Sequence, residues 1–166
     1  DLFILRNAGN IIPPWGVSSG ESAAIEYGVE ALGISDIIVC GHTHCGAMKA
    51  VIDPSEVKDM PAVAAWLAHC DGTRRILRAA YPDVTGDELV ETAVEENVLV
   101  QIEHLRTHPG VMAALACGRL TLHAWLYDIA EGSVHAFDPE RGQYVPIEEA
   151  GQGVKHEPLL GRRRQI

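Results

Sequence analysis

The fold is decided by one stretch of the chain, Asp36-Ile37-Ile38-Val39-Cys40-Gly41-His42-Thr43-His44-Cys45-Gly46. Its apolar, β-branched first half is typical of a buried strand. The glycines and polar residues of its second half predict a loop, after which Gly46 is expected to open a short helix. A strand that passes through a short loop into a helix is the repeating unit of α/β folds, so this stretch favours that class.

Helical patterns lie on both sides of this strand. Two residue pairs have the spacing of capping boxes before apolar residues at helical intervals, namely Ser18 with Glu21 and Thr85 with Glu88. Pro61 and Pro109 are each well placed as the first residue of a further helix. The longest apolar ridge follows the second capping box and consists of Val90, Val94, Val98, Ile102 and Leu105.

Three other segments have strand character. Residues 2–6 form a short apolar run, which predicts a buried strand. Residues 120–127 alternate between apolar and polar side chains with a period of two. The turn residues 131–133 then lead into residues 134–137, so the sheet is expected to end in an antiparallel hairpin.

The order of these elements predicts one α/β domain with a mainly parallel central sheet flanked by helices. We assign residues 1–148 to this domain and residues 149–166 to a polar C-terminal tail. Ligands of such sheets bind beyond the carboxyl ends of the strands, where the loops of residues 7–10 and 42–45 are both expected to lie.

The composition limits the class of protein. The chain has 166 residues, with 13 Lys and Arg against 23 Asp and Glu, for a formal net charge of −10. That acidic balance argues against a nucleic-acid or anionic-membrane surface. No apolar run approaches the ~20 residues that a membrane-spanning helix requires. Because nothing resembles a leader peptide, we expect a cytoplasmic protein.

His42 and Cys45 are the candidate metal ligands of the loop. Imidazole and thiolate are favoured ligands of Zn²⁺, and the two intervening residues allow both side chains to turn toward one ion. Cys45 is expected at the start of a helix, where the helix dipole favours the thiolate form. The alternative is a structural loop with a buried cysteine and a solvent-facing histidine.

The remaining cysteines and loop residues have simpler interpretations. Cys40, Cys70 and Cys117 fall on apolar patterns and are predicted to be buried, inert thiols. His44 is expected to be a loop histidine, with a proton shuttle as the alternative. Arg6 and Asn7 are expected to anchor the loop after the first strand or a neighbouring subunit, and Glu21 to cap a helix.

Several ordered stretches resemble the β-class carbonic anhydrases, and more narrowly their bacterial branch with cyanase-operon and carboxysomal enzymes. The resemblance covers nearly all of residues 1–148. The stretches are Arg6-Asn7-Ala8-Gly9-Asn10 with its continuation to Pro14, residues 21–27, residues 38–48 with Gly41-His42-Thr43-His44-Cys45-Gly46, Glu96-Asn97-Val98, Thr107-His108-Pro109-Gly110-Val111 and His123-Ala124-Trp125-Leu126-Tyr127-Asp128.

The resemblance implies a zinc enzyme that interconverts carbon dioxide and bicarbonate by means of a zinc-bound hydroxide. In that family two cysteines and a histidine hold the Zn²⁺, and His42 and Cys45 match two of these ligands. The resemblance also implies a homodimer or higher homo-oligomer, because the family builds its pocket across a subunit interface. The location that corresponds to this family branch is the cytoplasm, where the enzyme is either free or associated with a carboxysome.

One departure from the family pattern concerns the first zinc cysteine. In the family it belongs to a Cys-x-Asp-Ser-Arg motif upstream of the strand predicted at residues 2–6, and this sequence contains no such motif. The third ligand and the Asp/Arg catalytic pair are therefore unknown here, and two protein ligands alone should hold Zn²⁺ weakly. We expect the sequence to be a fragment of a longer enzyme, and it predicts the activity of that enzyme better than its own.

Two alternative functions follow from that departure. One is a catalytically silent relative that serves as an assembly or bicarbonate-binding subunit. The other is a related zinc hydrolase that acts on a sulfur analogue of carbon dioxide. The upstream coding sequence distinguishes the silent relative from the enzyme, because only the enzyme requires the Cys-x-Asp-Ser-Arg motif there. Comparing hydrolysis of the sulfur analogue with hydration of carbon dioxide distinguishes the hydrolase from the carbonic anhydrase.

Overall fold

A computed structural model describes residues 2–151 of the chain. Five consecutive helices separate its first two strands, and short 3₁₀ turns lie at Ala8–Asn10, Pro54–Val57 and Ala68–Cys70. The elements are α1 (Gly20–Glu26, continued by a π-helical turn at Tyr27–Ala31), β1 (Asp36–His42), α2 (Gly46–Ile52), α3 (Pro61–Leu67), α4 (Asp71–Ala80), α5 (Gly86–Leu105), α6 (Pro109–Ala116), β2 (Thr121–Asp128), β3 (Ser133–Asp138) and β4 (Gln143–Pro146).

The four strands form one mixed sheet in the order β1-β2-β3-β4. β1 and β2 are parallel, in a register that places Asp36 opposite Thr121 and His42 opposite Tyr127. The β2–β3 and β3–β4 pairs are antiparallel. The α/β class and the C-terminal hairpin are thus confirmed, and the parallel part of the described sheet is the β1–β2 pair. β4 was not anticipated, because its four residues contain only one buried side chain, that of Val145.

The strand predicted at residues 2–6 is wrong for the described part of the chain. These residues form no strand, and Leu2 and Ile4 are 82% and 66% exposed. The physical reason is pairing. β1 lies at the edge of the described sheet, and no strand among residues 2–151 runs along its other side. An apolar run becomes a strand only where a neighbouring strand satisfies its backbone groups.

α5 packs across the sheet and joins the two halves of the hydrophobic core. Its predicted ridge is confirmed, since all five side chains are at most 8% exposed: Val90, Val94, Val98, Ile102 and Leu105. Gly41 of β1 lies directly against this ridge. A Cβ atom at Gly41 would lie 2.8 Å from methyl groups of both Val94 and Val98, so only glycine allows this close approach of strand and helix.

The sequence predicts a fully buried strand, but β1 is buried on one face only. Val39 and Gly41 face the core, whereas Ile38, Cys40 and His42 alternate onto the exposed face. This alternation follows from the period of two along a strand, because α5 packs against the face of β1 that carries Gly41.

The predicted helix starts agree with the structure to within one residue, but the caps differ and the separate helix α4 was not anticipated. Ser19, not Ser18, caps α1, and its Oγ accepts a hydrogen bond from the Ser22 amide at 3.1 Å. Thr85 occupies the N-cap position of α5 without a side-chain hydrogen bond to the helix. Pro61 and Pro109 begin α3 and α6 as predicted. Among the described residues, no helix combines the length and the apolar character that crossing a membrane requires.

The predicted boundary between the domain and the tail stays a prediction. The last described strand ends at Pro146 and is followed by a turn. Most of the predicted tail, residues 152–166, lies outside the described residues.

Candidate metal centre

The loop between β1 and α2 lies at the carboxyl end of the parallel strand pair, as predicted. Its backbone is fixed to the β2 side of the sheet. The Thr43 amide donates to the Tyr127 carbonyl at 3.0 Å, and the Thr43 hydroxyl accepts from the Ile129 amide at 3.1 Å. The loop is therefore held as a continuation of the sheet.

His42 is the last residue of β1, and its imidazole is exposed. Its Nδ1 atom lies 2.9 Å from the Thr43 carbonyl oxygen. Since a carbonyl oxygen only accepts, Nδ1 carries the proton and Nε2 presents a lone pair to the surroundings. A histidine whose second nitrogen donates to a carbonyl group has the arrangement typical of metal-binding histidines.

Cys45 immediately precedes α2 and is 5% exposed. It packs in the core cluster that contains Ile11, Met48 and Cys70. The loop thus combines an imidazole nitrogen that faces outward with a thiol at the core boundary. Nitrogen and sulfur donors match the preference of Zn²⁺, and His42 and Cys45 fit two of its ligand positions. Within residues 2–151, no group of three or more His, Cys, Asp and Glu side chains is placed to hold a metal ion.

Between these two residues, His44 has a left-handed backbone conformation with φ of +58°. Its amide donates to Oε1 of Glu91 on α5 at 3.0 Å, and its ring Nδ1 lies 3.5 Å from the same oxygen. Glu91 therefore connects the loop to α5. The sequence did not single out Glu91, because a glutamate on the polar side of a helix carries no distinguishing pattern.

Asn7 anchors its own loop, as predicted. Its Oδ1 accepts from the Ile11 amide at 2.8 Å and its Nδ2 donates to the Ile11 carbonyl at 2.9 Å. Glu21 does not cap α1 but lies 3.4 Å from Asn7 Nδ2. Arg6 is exposed, and nothing in the described chain assigns it a role.

The loop that Asn7 closes packs against the helix that follows the candidate ligands. Gly9, at φ of +78°, lies so close to Met48 and Ala47 of α2 that a Cβ atom would be 3.1 and 3.3 Å from them. A fully buried polar network holds this loop in place. Asn97 Nδ2 donates to the Gly9 carbonyl at 2.8 Å, and Gln101 Oε1 accepts from the Ile12 amide at 2.8 Å. The sequence assigned neither residue a role, although Asn97 lies in one of the stretches that resemble the family, because both look like ordinary polar positions of α5.

The other three cysteines differ from one another. Cys70 is fully buried as predicted, and burial raises the pKa of its thiol to about 12, so it is protonated near neutral pH and is a poor metal ligand. The prediction that Cys117 is buried is wrong, because it follows the last residue of α6 and is exposed. Cys40 was also predicted to be buried but lies on the exposed face of β1, where partial desolvation raises the pKa of its thiol.

Two other histidines have structural roles. His108 is buried and donates from Nε2 to the Pro13 carbonyl at 2.9 Å. His104 donates from Nδ1 to the Ile12 carbonyl at 2.7 Å. Desolvation by burial lowers the pKa of His104, because the charged imidazolium loses hydration there.

Comparison with known proteins identifies the family. The carbonic anhydrase family profile matches residues 1–134. The chain is 49% identical over 140 residues to a carbonic anhydrase of Synechocystis sp., covering 83% of this chain. It is 42% identical over 167 residues to a carbonic anhydrase of Synechococcus elongatus, and 46% identical over 144 residues to carbonic anhydrase 1 of Escherichia coli O157:H7, covering 98% and 86% of this chain.

Solved structures agree with this assignment. The β-carbonic anhydrase CcaA superposes with a TM-score of 0.85 at 47% identity, covering 88% of this chain and 72% of that one. A tetrameric β-carbonic anhydrase from Sordaria macrospora superposes with a TM-score of 0.73 at 26% identity, covering 87% of this chain and 70% of that one.

The chain is shorter than its curated relatives. It spans 51% of the Synechocystis protein, 61% of the Synechococcus elongatus protein and 65% of the Escherichia coli protein. The matched part nevertheless includes the whole β1–loop–α2 unit and β2. This chain therefore belongs to the β-class carbonic anhydrase family.

Proposed function

We propose that the intact protein is a zinc enzyme that catalyses the reversible hydration of carbon dioxide to bicarbonate, with His42 and Cys45 as two of its metal ligands. The observation that carries the proposal is the loop after β1. It places an imidazole with a satisfied Nδ1 and a core-boundary thiol at the two ends of one fixed turn. Family membership supports the reaction class.

When bound, Zn²⁺ supplies Lewis acidity that makes water nucleophilic near neutral pH. The residues of this chain supply orientation. The Thr43 carbonyl holds the His42 ring in the tautomer with a free Nε2. Burial keeps Cys45 in one environment, and the sheet holds Thr43 between them. A loop fixed from several sides loses little entropy when the ion binds.

We further propose that the third protein ligand comes from a part of the intact protein other than residues 2–151. His42 and Cys45 are two donors, whereas a catalytic zinc site commonly has three protein ligands and one open position. The relatives' greater length supports this proposal, since the chain spans 51% of the Synechocystis enzyme.

We also propose a homodimer or higher homo-oligomer in the cytoplasm, free or within a carboxysome-like shell. The exposed face of the sheet supports association, because Ile38 and Tyr127 lie there on neighbouring strands, 41% and 40% exposed. The tetrameric assembly named for the Sordaria macrospora relative supports it as well. Four cysteines without a disulfide are consistent with a reducing compartment.

Zinc content and carbon dioxide hydration, measured on the intact protein, test the proposal. We expect about one zinc ion per chain in the wild type, and we expect His42→Ala and Cys45→Ala each to lower the hydration rate by at least ~100-fold, the larger losses that metal-site changes produce. His69→Ala and Cys117→Ala are matched controls, since neither residue lies in the loop and Cys117 is exposed.

Three results separate the proposal from its alternatives. Unchanged zinc content and rate in both loop variants would refute the assigned ligands. Bicarbonate binding without hydration by the wild type would favour a silent binding subunit. Faster hydrolysis of the sulfur analogue than hydration of carbon dioxide, in one preparation, would favour the hydrolase.

A further inference from the structure

The backbone of the candidate metal loop contains one unfavourable conformation. His44 has a φ of +58°, in the left-handed region that side chains with a Cβ atom rarely adopt. The conformation sits between the two candidate ligands, so it sets the direction in which the chain turns from His42 to Cys45. Such a conformation persists only where neighbouring groups hold it.

Glu91 is the group that holds it from the helical side. Its Oε1 accepts the His44 amide hydrogen bond at 3.0 Å and also lies 3.5 Å from His44 Nδ1. The side chain of Glu91 is only about one third exposed, whereas that of His44 is 66% exposed. The contact therefore fixes the backbone of His44 and leaves most of its ring in solvent. A carboxylate makes a stronger acceptor for an amide than a neutral group does.

The position of Glu91 is itself fixed by the core. Val94 lies one turn further along α5 and, with Val98, packs against Gly41 so closely that no side chain fits between the strand and the helix. α5 cannot move away from β1 without opening this contact. Glu91 is thereby held at a constant distance from the loop that follows β1.

We propose that Glu91 is a positioning residue, which locks the His44 backbone in the left-handed conformation and so presets the His42–Cys45 turn for metal binding. This inference rests on the proposed zinc site. Glu91 does not ligate the ion in this account, and its role requires a hydrogen-bond acceptor at this place.

The test uses the intact protein and four variants. Glu91→Ala removes the acceptor, and Glu91→Gln keeps an amide oxygen at the same place. Glu103→Ala is the matched control, because Glu103 lies on the exposed side of the same helix and its nearest cation is Arg106 at 3.6 Å. His44→Gly in the Glu91→Ala background supplies a residue that adopts the left-handed conformation without strain.

Two measurements compare these variants with the wild type. Competition with a chromophoric chelator should show Zn²⁺ affinity lowered ~10- to 100-fold in Glu91→Ala, the range for changes in groups that orient metal ligands. Affinity should stay near wild type in Glu91→Gln and Glu103→Ala and should recover in the His44→Gly double variant. In metal-free protein, hydrogen exchange of the His44 amide should be at least ~10-fold faster in Glu91→Ala than in wild type.

The outcomes distinguish a failure of the proposed role of Glu91 from a failure of the proposed zinc site. Wild-type zinc affinity and amide exchange in Glu91→Ala would overturn the role of Glu91, and so would failure of His44→Gly to restore affinity. A wild type that binds no Zn²⁺ would overturn the zinc site but not the loop lock, which the amide exchange of the metal-free protein still tests.

Discussion

Residues 2–6 and β1 are both short apolar runs, yet only β1 forms a strand. β1 pairs with β2 along its whole length, and its Val39 and Gly41 pack against helices. Residues 2–6 have no strand partner in the described chain, and Leu2 is 82% exposed. The comparison shows that apolar composition marks a segment as able to be buried, whereas pairing and packing partners decide whether it is.

The loops that follow the two segments differ much less. Asn7 closes the first loop, and Asn97 and Gln101 hold it from α5. Thr43 ties the second loop to β2, and Glu91 holds it from α5. One helix thus supports both loops, so order at the candidate site does not depend on residues 2–6 forming a strand.

The largest loss of stability is expected from a substitution at the contact between β1 and α5. Gly41→Ala places a Cβ atom 2.8 Å from two valine side chains, neither of which is flexible. We expect it to lower the free energy of unfolding by about 2 kcal/mol, in the range for overpacked cores. Urea unfolding measures this loss.

Gly20→Ala is the matched control for Gly41→Ala, because no atom lies within 4 Å of a Cβ at Gly20, the first residue of α1. We expect that control to change stability by less than about 0.5 kcal/mol. Equal effects of the two substitutions would contradict the close packing of β1 on α5.

A smaller change in the free energy of unfolding is expected from the titration of His104, which holds the loop that follows residues 2–6. Burial lowers the pKa of His104 below its ordinary value of 6.5, so the unfolded chain takes up the proton more readily than the folded chain. The contribution of neutral His104 is complete above the unfolded pKa and is lost as the pH falls below it. The free energy of unfolding should therefore decrease between pH 7 and pH 5.

His104→Asn isolates this contribution, because asparagine retains a donor for the Ile12 carbonyl and does not titrate. Urea unfolding at pH 7, 6 and 5 should give a shallower decline for His104→Asn than for wild type. Identical declines would show that His104 is not the residue responsible.

The smallest loss of stability is expected from a substitution within residues 2–6. Ile4 is 66% exposed in the described chain. In this 166-residue chain we expect Ile4→Ala to change the free energy of unfolding by less than about 0.5 kcal/mol, as for other surface positions. The matched substitution Val39→Ala, at a position 4% exposed in β1, should cost clearly more. A larger loss for Ile4→Ala would show that residues 2–6 are buried after all.

The sequence predicts the local elements well because their signals are local. Pro61 and Pro109 mark helix starts, the valine ridge of α5 marks its buried side, and alternation marks β2. Residues 2–6 were misjudged because a strand also requires a partner far away in the chain. β4 was missed because it is short and contributes only Val145 to the core.

The candidate site is predictable only in part. His42 and Cys45 stand out through residue type and spacing, since few side chains bind Zn²⁺. Glu91 and Asn97 act through hydrogen bonds to backbone atoms 47 and 88 residues away in the chain. Such contacts depend on how α5 packs against the sheet, and no local pattern reports that packing.

The central claim is that His42 and Cys45 bind the same zinc ion, and X-ray absorption at the zinc edge of the intact protein tests it most directly. We predict a mixed shell with nitrogen at about 2.0 Å and sulfur at about 2.3 Å, which loses one sulfur in Cys45→Ala and one imidazole in His42→Ala. An identical zinc shell in wild type and both variants would contradict the claim.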